Sequence, residues 1–272
     1  MFDTAEIVRM QRSRGEAFVS LVADGDAPRI AGLRQQGSAK VILPHVGKWP
    51  EAVFLNTSGG LTGGDCLSYR VNLGHGLRAV ATTQTAERAY RSSSGAASVK
   101  VDLTVGDAAF LDWLPQETIL FDGADLDRHT QVTLGHGAGC LVLEMIVLGR
   151  QAMGETVRQA NLRDWRQIDG PTGPIWAEPL RIDEKALASG PAGLNGTRAF
   201  ASLCLVAPEA EGLLAPLRRT FDEPGVRAAA SYLPGRLVMR VDAADGWPLP
   251  RQVARSLAVL RQGRALPRVW QM

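Results

Sequence analysis

Histidine is the side chain best suited to proton transfer and metal binding near neutral pH, and this chain contains four of them. Three of them, His45, His75 and His136, each follow a Val-x-Leu phrase and one bend residue. If these phrases stack in register, three imidazoles can converge on a transition metal. The alternative is three turn histidines on a surface. The sequence leaves both interpretations open.

A carboxylate in apolar surroundings is the second candidate for chemistry. Glu144 lies within the run Leu141-Val-Leu-Glu-Met-Ile-Val-Leu148. A carboxylate buried there is costly unless it is paired, bound to a metal or reached by water. Strand alternation could instead turn Glu144 toward solvent, in which case it would be an ordinary surface residue.

The most unusual local composition is Ser58-Gly59-Gly60-Leu61-Thr62-Gly63-Gly64-Asp65. Four glycines in six residues allow a positive φ or a close approach of the backbone to another group. No Lys-Ser/Thr pair follows, as a Walker loop requires, and no helical pattern follows, as a dinucleotide fold requires. We therefore predict a tight bend between two strands that orients Asp65.

No motif for a catalytic nucleophile, a zinc protease or an acid-base triad is present. Two classes remain open from the residues alone. One is a β-solenoid hydrolase or lyase that uses acids such as Asp65, Asp112 and Asp122 on a carbohydrate. The other is a scaffold that binds partners and passes an ion between carboxylates. The shortage of paired acids within one strand favours the scaffold.

The formal net charge of +2 is too small to indicate nucleic acid or an anionic membrane as a partner. Charge is nevertheless uneven along the chain. Residues 100–128 carry seven acids against two bases, and the chain from Arg218 onward carries ten arginines against four acids. These segments are either solvated strand edges and helix faces or a pair of complementary docking surfaces.

Three widely spaced cysteines, Cys66, Cys140 and Cys204, form no Cys-x-x-Cys motif. This pattern favours free thiols in a reducing compartment over a disulfide framework. The chain has no secretory leader pattern and no run of about 18 apolar residues. We expect a cytoplasmic location.

These residues must be positioned by strands, because the phrase Val-x-Leu recurs at a nearly constant interval. The copies begin at Val41, Val71, Val101 and Val132, which are 30, 30 and 31 residues apart. Such a period is typical of stacked coils that cannot bury their apolar faces singly. The alternative is chance, since Val-x-Leu is common in any β-protein.

The remaining pattern predicts an all-β, solenoid-like single domain over residues 1–272, with about fifteen strands and a loose arm at residues 1–14. Only two segments have the pattern of a helix, residues 208–219 and 249–261. The first begins with a proline and ends with basic residues, and the second places Val253, Leu257 and Leu260 on one face before Gly263. The polar loop 85–95 offers Tyr90 and Arg91 for contact with a partner.

Five motifs resemble the UreD (UreH) family of urease accessory proteins, in the order that the family has them. They are Ser58-Gly-Gly-Leu-Thr-Gly-Gly-Asp65, residues 82–92 (TTQTAERAYRS), residues 112–124 (DWLPQETILFDGA), Leu148-Gly-Arg150 with Gly154-Glu155, and Leu266-Pro-Arg-Val-Trp270. The residues of these motifs that we expect to shape the backbone are Gly59, Gly60, Gly63, Gly64, Trp113, Pro115, Gln116, Gly149 and Arg150. One departure precedes the glycines, where Asn56-Thr57-Ser58 replaces the family's frequent Asn or His and Pro-Pro.

The resemblance implies a β-rich scaffold with no catalysis of its own. Members of this family dock on apo-urease and bind UreF, through which the GTPase UreG joins, and the assembly delivers nickel to the dinuclear active site. Transient Ni²⁺, without a tightly bound cofactor, is therefore expected. Acids that the resemblance places along an internal nickel passage are Asp65, Glu144 and Glu178, with Glu87 at a position where the family varies.

Overall fold

The structure, a computed structural model, describes residues 11–25, 27–44, 49–190 and 193–271. Within these ranges most of the chain forms strands. In chain order they are β1 (Arg14–Asp24), β2 (Ala27–Gly37), β3 (Ala39–Ile42), β4 (Glu51–Asn56), β5 (Cys66–Leu73), β6 (Arg78–Thr83), β7 (Glu87–Ala89), β8 (Ala97–Val105), β9 (Phe110–Leu114), β10 (Thr118–Leu120), β11 (Ala124–Leu134), β12 (Gly139–Leu148), β13 (Ala160–Gly170), β14 (Gly173–Ile182), β15 (Ala199–Val206), β16 (Val226–Leu233) and β17 (Arg236–Ala243). The helices are α1 (Glu184–Ala188), α2 (Ala210–Arg218) and α3 (Pro248–Leu260).

The strands form two sheets that face each other. The first has seven strands in the order β14-β13-β11-β8-β5-β1-β2, and the second has the path β16-β17-β15-β12-β9-β6-β4-β3, with β10 and β7 joined beside β12. The central strands β1, β5, β8, β11 and β13 pair in parallel, as do β4, β6, β9 and β12. The chain therefore winds from one sheet to the other and back, which confirms the predicted solenoid-like all-β scaffold.

The sequence period is real, but two of its four copies were aligned wrongly. Val71 pairs with Leu103, and Leu103 pairs with Val132, so the third copy starts two residues later than predicted. The copy at Val41 belongs to β3, which pairs antiparallel with β4 in the other sheet. Val-x-Leu phrases occur in both sheets, and period alone could not separate them.

Three turns that leave the seven-stranded sheet share one backbone conformation. The third turn residue has a positive φ in each of them: 68° at Gly76, 53° at Ala108 and 65° at Gly137. This conformation favours glycine over residues with a Cβ atom. The recurrence of the same bend identifies β5, β8 and β11 as equivalent strands of successive coils.

Two apolar layers hold the structure together. Alternate residues of β12 belong to different layers, with Val142 packed between the two sheets and Leu143 packed toward the helices. The second layer includes Leu249, Val253 and Leu257 of α3. Full burial of each such side chain contributes about 1.5–3 kcal/mol to the free energy of unfolding. The molecule thus has three layers: a sheet, a second sheet and a pair of helices.

Both predicted helices are confirmed, at α2 and α3, and one short helix was missed. Asp183 caps α1, since its side chain accepts a hydrogen bond from the Ala186 backbone N–H at 3.0 Å. In the part of the chain that the structure describes, no helix is long and apolar enough to cross a membrane.

Other element boundaries also differ from the prediction. The polar loop 85–95 contains the short strand β7, which pairs with β10. The predicted loose arm ends earlier than expected, because Arg14 already belongs to β1; residues 1–10 lie outside the described ranges. The three cysteines are free thiols, as predicted.

The strand β2 forms one edge of the seven-stranded sheet. It pairs with β1 on one side, and ten of its eleven residues are exposed to solvent. Ile30 and Leu33 are among them, although both are apolar. This edge contrasts with the opposite side of the ten-stranded sheet, which α2 and α3 cover.

Candidate functional site

Glu144 faces the interior between the two sheets. It lies on β12 with the same orientation as Val142 and Ile146, and it is only 3% exposed. The prediction that alternation would turn it outward is therefore excluded, and the interpretation as a buried carboxylate is confirmed. Burial on this scale requires a compensating partner.

The partner of Glu144 is an arginine on the facing sheet. Arg128 Nη1 lies 2.7 Å from Glu144 Oε2, a close ionic contact that lacks the alignment of a hydrogen bond. Trp113 Nε1 donates to Glu144 Oε1 at 3.4 Å. Burial raises the pKa of Glu144, and the positive charge of Arg128 opposes that rise.

Arg128 also binds a second carboxylate. Its Nε and Nη2 donate to the two oxygens of Asp164 at 3.1 and 2.7 Å, and its Nη1 donates to Thr118 Oγ1 at 2.9 Å. Burial pushes the pKa of Asp164 upward, but Arg128 and Arg166 outweigh this effect and hold the pKa below its ordinary value. This bidentate contact fixes the orientation of the guanidinium group.

The chain of charges continues to Glu178. Arg166 Nε lies 3.4 Å from Asp164 Oδ2, and Arg166 Nη1 lies 3.1 Å from Glu178 Oε2. Glu178 Oε1 accepts a hydrogen bond from Arg240 Nε at 2.9 Å. The Arg240 side chain is 74% exposed, so the chain ends at the surface.

We call these six residues the inter-sheet network: Glu144, Arg128, Asp164, Arg166, Glu178 and Arg240. It contains three carboxylates and three guanidinium groups, and its formal charge is zero. Two of the acids predicted for an internal passage, Glu144 and Glu178, are therefore brought into one connected system. Thr130 Oγ1 and Arg166 Nε are buried there without a hydrogen-bond partner among the described residues.

Asp65 lies elsewhere and has a different environment. Its Oδ1 accepts from the Ser13 backbone N–H at 2.7 Å, and its Oδ2 accepts from the Thr62 backbone N–H at 2.9 Å. The glycines around it are used as expected: a Cβ at Gly63 would lie 2.5 Å from the Gly95 carbonyl oxygen. The bend thus orients Asp65 toward the backbone of the first strand.

Glu87 lies in a small cavity of about 50 Å³ that Gly59 and Tyr69 also line. Its carboxylate accepts from Asn56 Nδ2 at 3.3 Å and from the Arg88 backbone N–H at 3.2 Å. Burial raises the pKa of Glu87 to about 7, and the nearby charge of Asp65 adds to the rise. Asp65 and Glu87 therefore influence each other electrostatically, although the structure gives them no shared ligand.

Aromatic rings lie between the Glu87 cavity and Glu144. The Phe54 ring centroid is 5.0 Å from that of Tyr69 and 6.0 Å from that of Trp113. Trp113 in turn binds Glu144. The four predicted passage acids thus form two groups, one at each end of this aromatic cluster.

The other motif residues shape the corners of the coils. Pro115 lies between β9 and β10, and Gln116 Nε2 donates to the Val269 carbonyl oxygen at 3.2 Å. Gly149 has a φ of 74°. Arg150 Nε lies 2.9 Å from Glu155 Oε2, and its guanidinium group lies over a ring, that of Phe121.

The loop residues proposed for contact with a partner are accessible. Tyr90 is 39% exposed and packs edge-on against Phe121, with 4.8 Å between ring centroids. The Arg91 side chain is 65% exposed and forms an ion pair with Asp122. Both side chains can therefore be reached from outside the coils.

The structure describes two of the three histidines considered for a metal site. His75 and His136 are exposed, and the residue equivalent to them in the coil between is Asp107, whose Oδ1 accepts from the His136 backbone N–H at 2.8 Å. His45 lies outside the described ranges. Across those ranges, no group of three His, Cys, Asp or Glu side chains is placed to hold a metal ion.

The acids considered for carbohydrate chemistry have separate partners. Asp112 is fully buried and binds Arg261, whereas Asp122 accepts backbone N–H groups of Arg158 and Gln159. Asp65 binds the backbone of Ser13, as described above.

Sequence reasoning missed the arginines and Asp164 of the inter-sheet network. A signal was available, because Asp164 and Arg166 have the same alternation as the core residues Leu162 and Ile168 of β13. Charged residues at core-facing positions of a strand indicate a buried network.

Comparison with known proteins gives a consistent result. A family model described as "UreD urease accessory protein" matches residues 13–271. A Cereibacter sphaeroides protein named "Urease accessory protein UreD" is 58% identical over 265 residues, which is 96% of each chain. Proteins with the same name from Paracoccus denitrificans and Rhizobium leguminosarum are 53% identical over 276 residues and 41% identical over 275 residues. In both cases the match covers 100% of this chain, and it covers 97% and 100% of the relative.

Proposed function

Because this chain belongs to the UreD family of urease accessory proteins, we propose that it is a non-catalytic scaffold for urease maturation in the cytoplasm. It docks on apo-urease and, together with UreF and the GTPase UreG, delivers nickel to the urease active site. Nickel is the cargo of this assembly, and the chain holds it only in transit.

The observation that carries this proposal is the inter-sheet network. Glu144 and Glu178 are buried between two sheets and are linked through Arg128, Asp164 and Arg166. Carboxylate oxygens bind Ni²⁺ less tightly than thiolates or several imidazoles would. Acids of this kind can therefore pass the ion onward instead of retaining it.

The arginines set the conditions under which a cation can enter. Each carboxylate of the network already contacts a guanidinium group, so Ni²⁺ at Glu144 must compete with Arg128 for the same oxygens. This competition weakens the binding of the ion further. The ion then occupies each carboxylate only briefly, as a passage requires.

We assign Asp65 and Glu87 to the opposite end of the same route. A cation that approaches Glu87 promotes loss of its proton, since the pKa of Glu87 is raised to about 7 by burial. Glu87 thereby acquires a negative charge when a cation is there to balance it. Tyr90 and Arg91, which are accessible beside this end, are our candidates for contact with a partner protein.

The substitution Glu144→Leu tests the proposal. The fold should survive, because Arg128 keeps both hydrogen bonds to Asp164. We expect urease from a co-expression system to contain little nickel, as measured by elemental analysis of the purified enzyme. Pull-down of the variant with urease subunits, UreF and UreG should match the wild type.

The matched control is Glu211→Leu, which removes an exposed carboxylate on α2 and should leave nickel loading unchanged. Full nickel loading with the Glu144 variant would count against the passage. Loss of the pull-down in that variant would count against the assignment of Glu144 to transport, since docking would then explain the effect.

A further inference from the structure

A second cavity lies on the opposite face of the ten-stranded sheet, under the segment that follows α3. Its volume is about 620 Å³, and its lining includes Glu51, Val80, Arg261, Arg264 and Arg268. This cavity is distinct from the inter-sheet network, because Glu51, Val80 and Asp112 are neighbours across β4, β6 and β9 on the helix-covered side of the sheet.

Three arginines line this cavity, and a fourth, Arg78, lies close enough to Arg264 for their charges to interact. Arg261 is 2% exposed, and its Nε donates to Asp112 Oδ2 at 2.9 Å. The Arg78 guanidinium group lies 4.0 Å from the ring centroid of Phe110. Arg264 and Arg268 line the cavity itself.

The nearby acids do not balance these four charges. Asp112 is paired with Arg261, Glu51 lies at the cavity wall, and Glu209 lies near Arg264 but is exposed to water. Among the described residues, four guanidinium groups thus face three carboxylates, one of which is solvated. Because arginine stays protonated at any physiological pH, the excess positive charge cannot be removed by deprotonation.

Several buried polar atoms at this place are also unsatisfied. Arg78 Nη1, Arg264 Nε, Glu51 Oε1 and Asp112 Oδ1 have no hydrogen-bond partner within the described ranges. Glu51 is 7% exposed, which makes an unsatisfied oxygen costly. Two of these atoms, Arg78 Nη1 and Arg264 Nε, are unused donors, and beside an excess of positive charge they favour a ligand that accepts hydrogen bonds and carries negative charge. The other two are carboxylate oxygens, which can contact such a ligand only through a proton.

We propose that this cavity is an oxyanion site, in which Arg264 and Arg268 bind a carboxylate or phosphate group. The planar fork of a guanidinium group matches two oxygens of such a ligand. Glu51 lines the same cavity. Burial raises the pKa of its carboxyl group, and the Arg268 backbone N–H and the charges of Arg261 and Arg268 oppose that rise. When protonated, this carboxyl group would donate to one ligand oxygen. A cation is disfavoured here, since it would add to the charge of the arginines.

Titration calorimetry on the full-length chain tests the proposal, with inorganic phosphate and acetate as separate probes at constant ionic strength. We expect saturable binding of at least one probe, and the tighter of the two identifies the ligand as a phosphate or a carboxylate. Arg264→Gln should weaken binding on the order of tenfold or more, the cost of a charge-assisted hydrogen bond. Arg158→Gln, at an exposed arginine outside the cavity, is the matched control and should bind as the wild type does.

Glu51→Gln provides a second measurement, which leaves all the arginines at the cavity in place. Acetate is the probe for this measurement, because its charge is constant near neutral pH. We expect the affinity of the wild type for acetate to fall as pH rises and Glu51 loses its proton, and we expect the glutamine variant, which keeps a donor at every pH, to lose this dependence. Circular dichroism verifies that each variant is folded. The proposal is overturned if neither probe binds, or if folded Arg264→Gln binds a probe as tightly as the wild type.

Discussion

Two glutamates of this molecule, Glu144, which is buried, and Glu87, which is partly buried, are compensated in different ways. Glu144 lies 2.7 Å from a guanidinium group, that of Arg128, within a network whose charges cancel. Glu87 receives hydrogen bonds from an amide, that of Asn56, and from a backbone N–H, and its pKa rises to about 7. One carboxylate is compensated by a fixed countercharge, and the other by ready protonation.

The two carboxylates therefore differ in what they contribute: one affects stability, and the other affects how the protein responds to pH. Removal of one partner of a buried ion pair leaves an uncompensated charge at any pH at which the other partner is charged. A carboxyl group with a pKa near 7 changes its charge within the physiological range instead. We therefore expect the inter-sheet network to determine stability and the Glu87 cavity to determine pH dependence.

The largest expected effect is on the network. Arg128→Met leaves Glu144 and Asp164 buried without their common cation, which should lower the free energy of unfolding by about 3–5 kcal/mol. Guanidinium denaturation followed by tryptophan fluorescence measures this. Arg163→Met, which removes an arginine paired with Asp125 and Asp127 at the surface, is the control and should cost at most about 1 kcal/mol. Equal losses in the two variants would show that the buried network contributes no more to stability than a surface ion pair does.

The second prediction concerns pH. In the folded state the pKa of Glu87 is raised from 4.5 to about 7, so folding favours the protonated acid. Stability is therefore lost as pH rises from about 4.5 to about 7, by up to about 3 kcal/mol. Glu87→Gln should show a flatter profile over this interval than the wild type, measured by denaturation at a series of pH values.

The control for this pH series is Glu211→Gln, at an exposed position of α2, which should keep the profile of the wild type. If Glu87→Gln also kept that profile, Glu87 would be ionised without penalty, and the contrast with Glu144 would fail.

The smallest expected effect is at the exposed end of the network. Arg240→Gln removes a guanidinium group that is 74% exposed, and Glu178 keeps its contacts with Arg166 and Ser202. The free energy of unfolding should fall by at most about 1 kcal/mol. A loss comparable to that of Arg128→Met would show instead that the network is stabilised equally along its length.

Much of the fold follows from the sequence because strand alternation and turn glycines are local signals. Val99 to Val105 alternates without interruption and lies in β8. The glycine-rich segment 58–65 was predicted as a bend between two strands, and it lies between β4 and β5. Pairing across coils depends on residues about 30 positions apart, and that information is missing from any single strand. For this reason Val101 was aligned with Val71, although Val71 pairs with Leu103, two residues further along the chain.

The candidate site could be predicted only in part. The apolar run around Glu144 indicates a buried acid. The sequence does not identify the cation that compensates it, because Arg128 lies on another sheet. Glu87 lies in a segment of polar sequence, and in the structure it lines a small cavity together with Phe54 and Tyr69. Long-range packing therefore determines the chemistry of both residues.

The parallel winding also sets an order of assembly for the newly made chain. β1 can form its hairpin with β2 at once, but its other edge is paired only after β5, which begins some forty residues later, has been synthesised. Contacts of such high sequence separation slow folding and leave partly built intermediates exposed. Growth from the N-terminal hairpin, with each finished coil as the template for the next, is the route that avoids this exposure, and α3 closes the structure last.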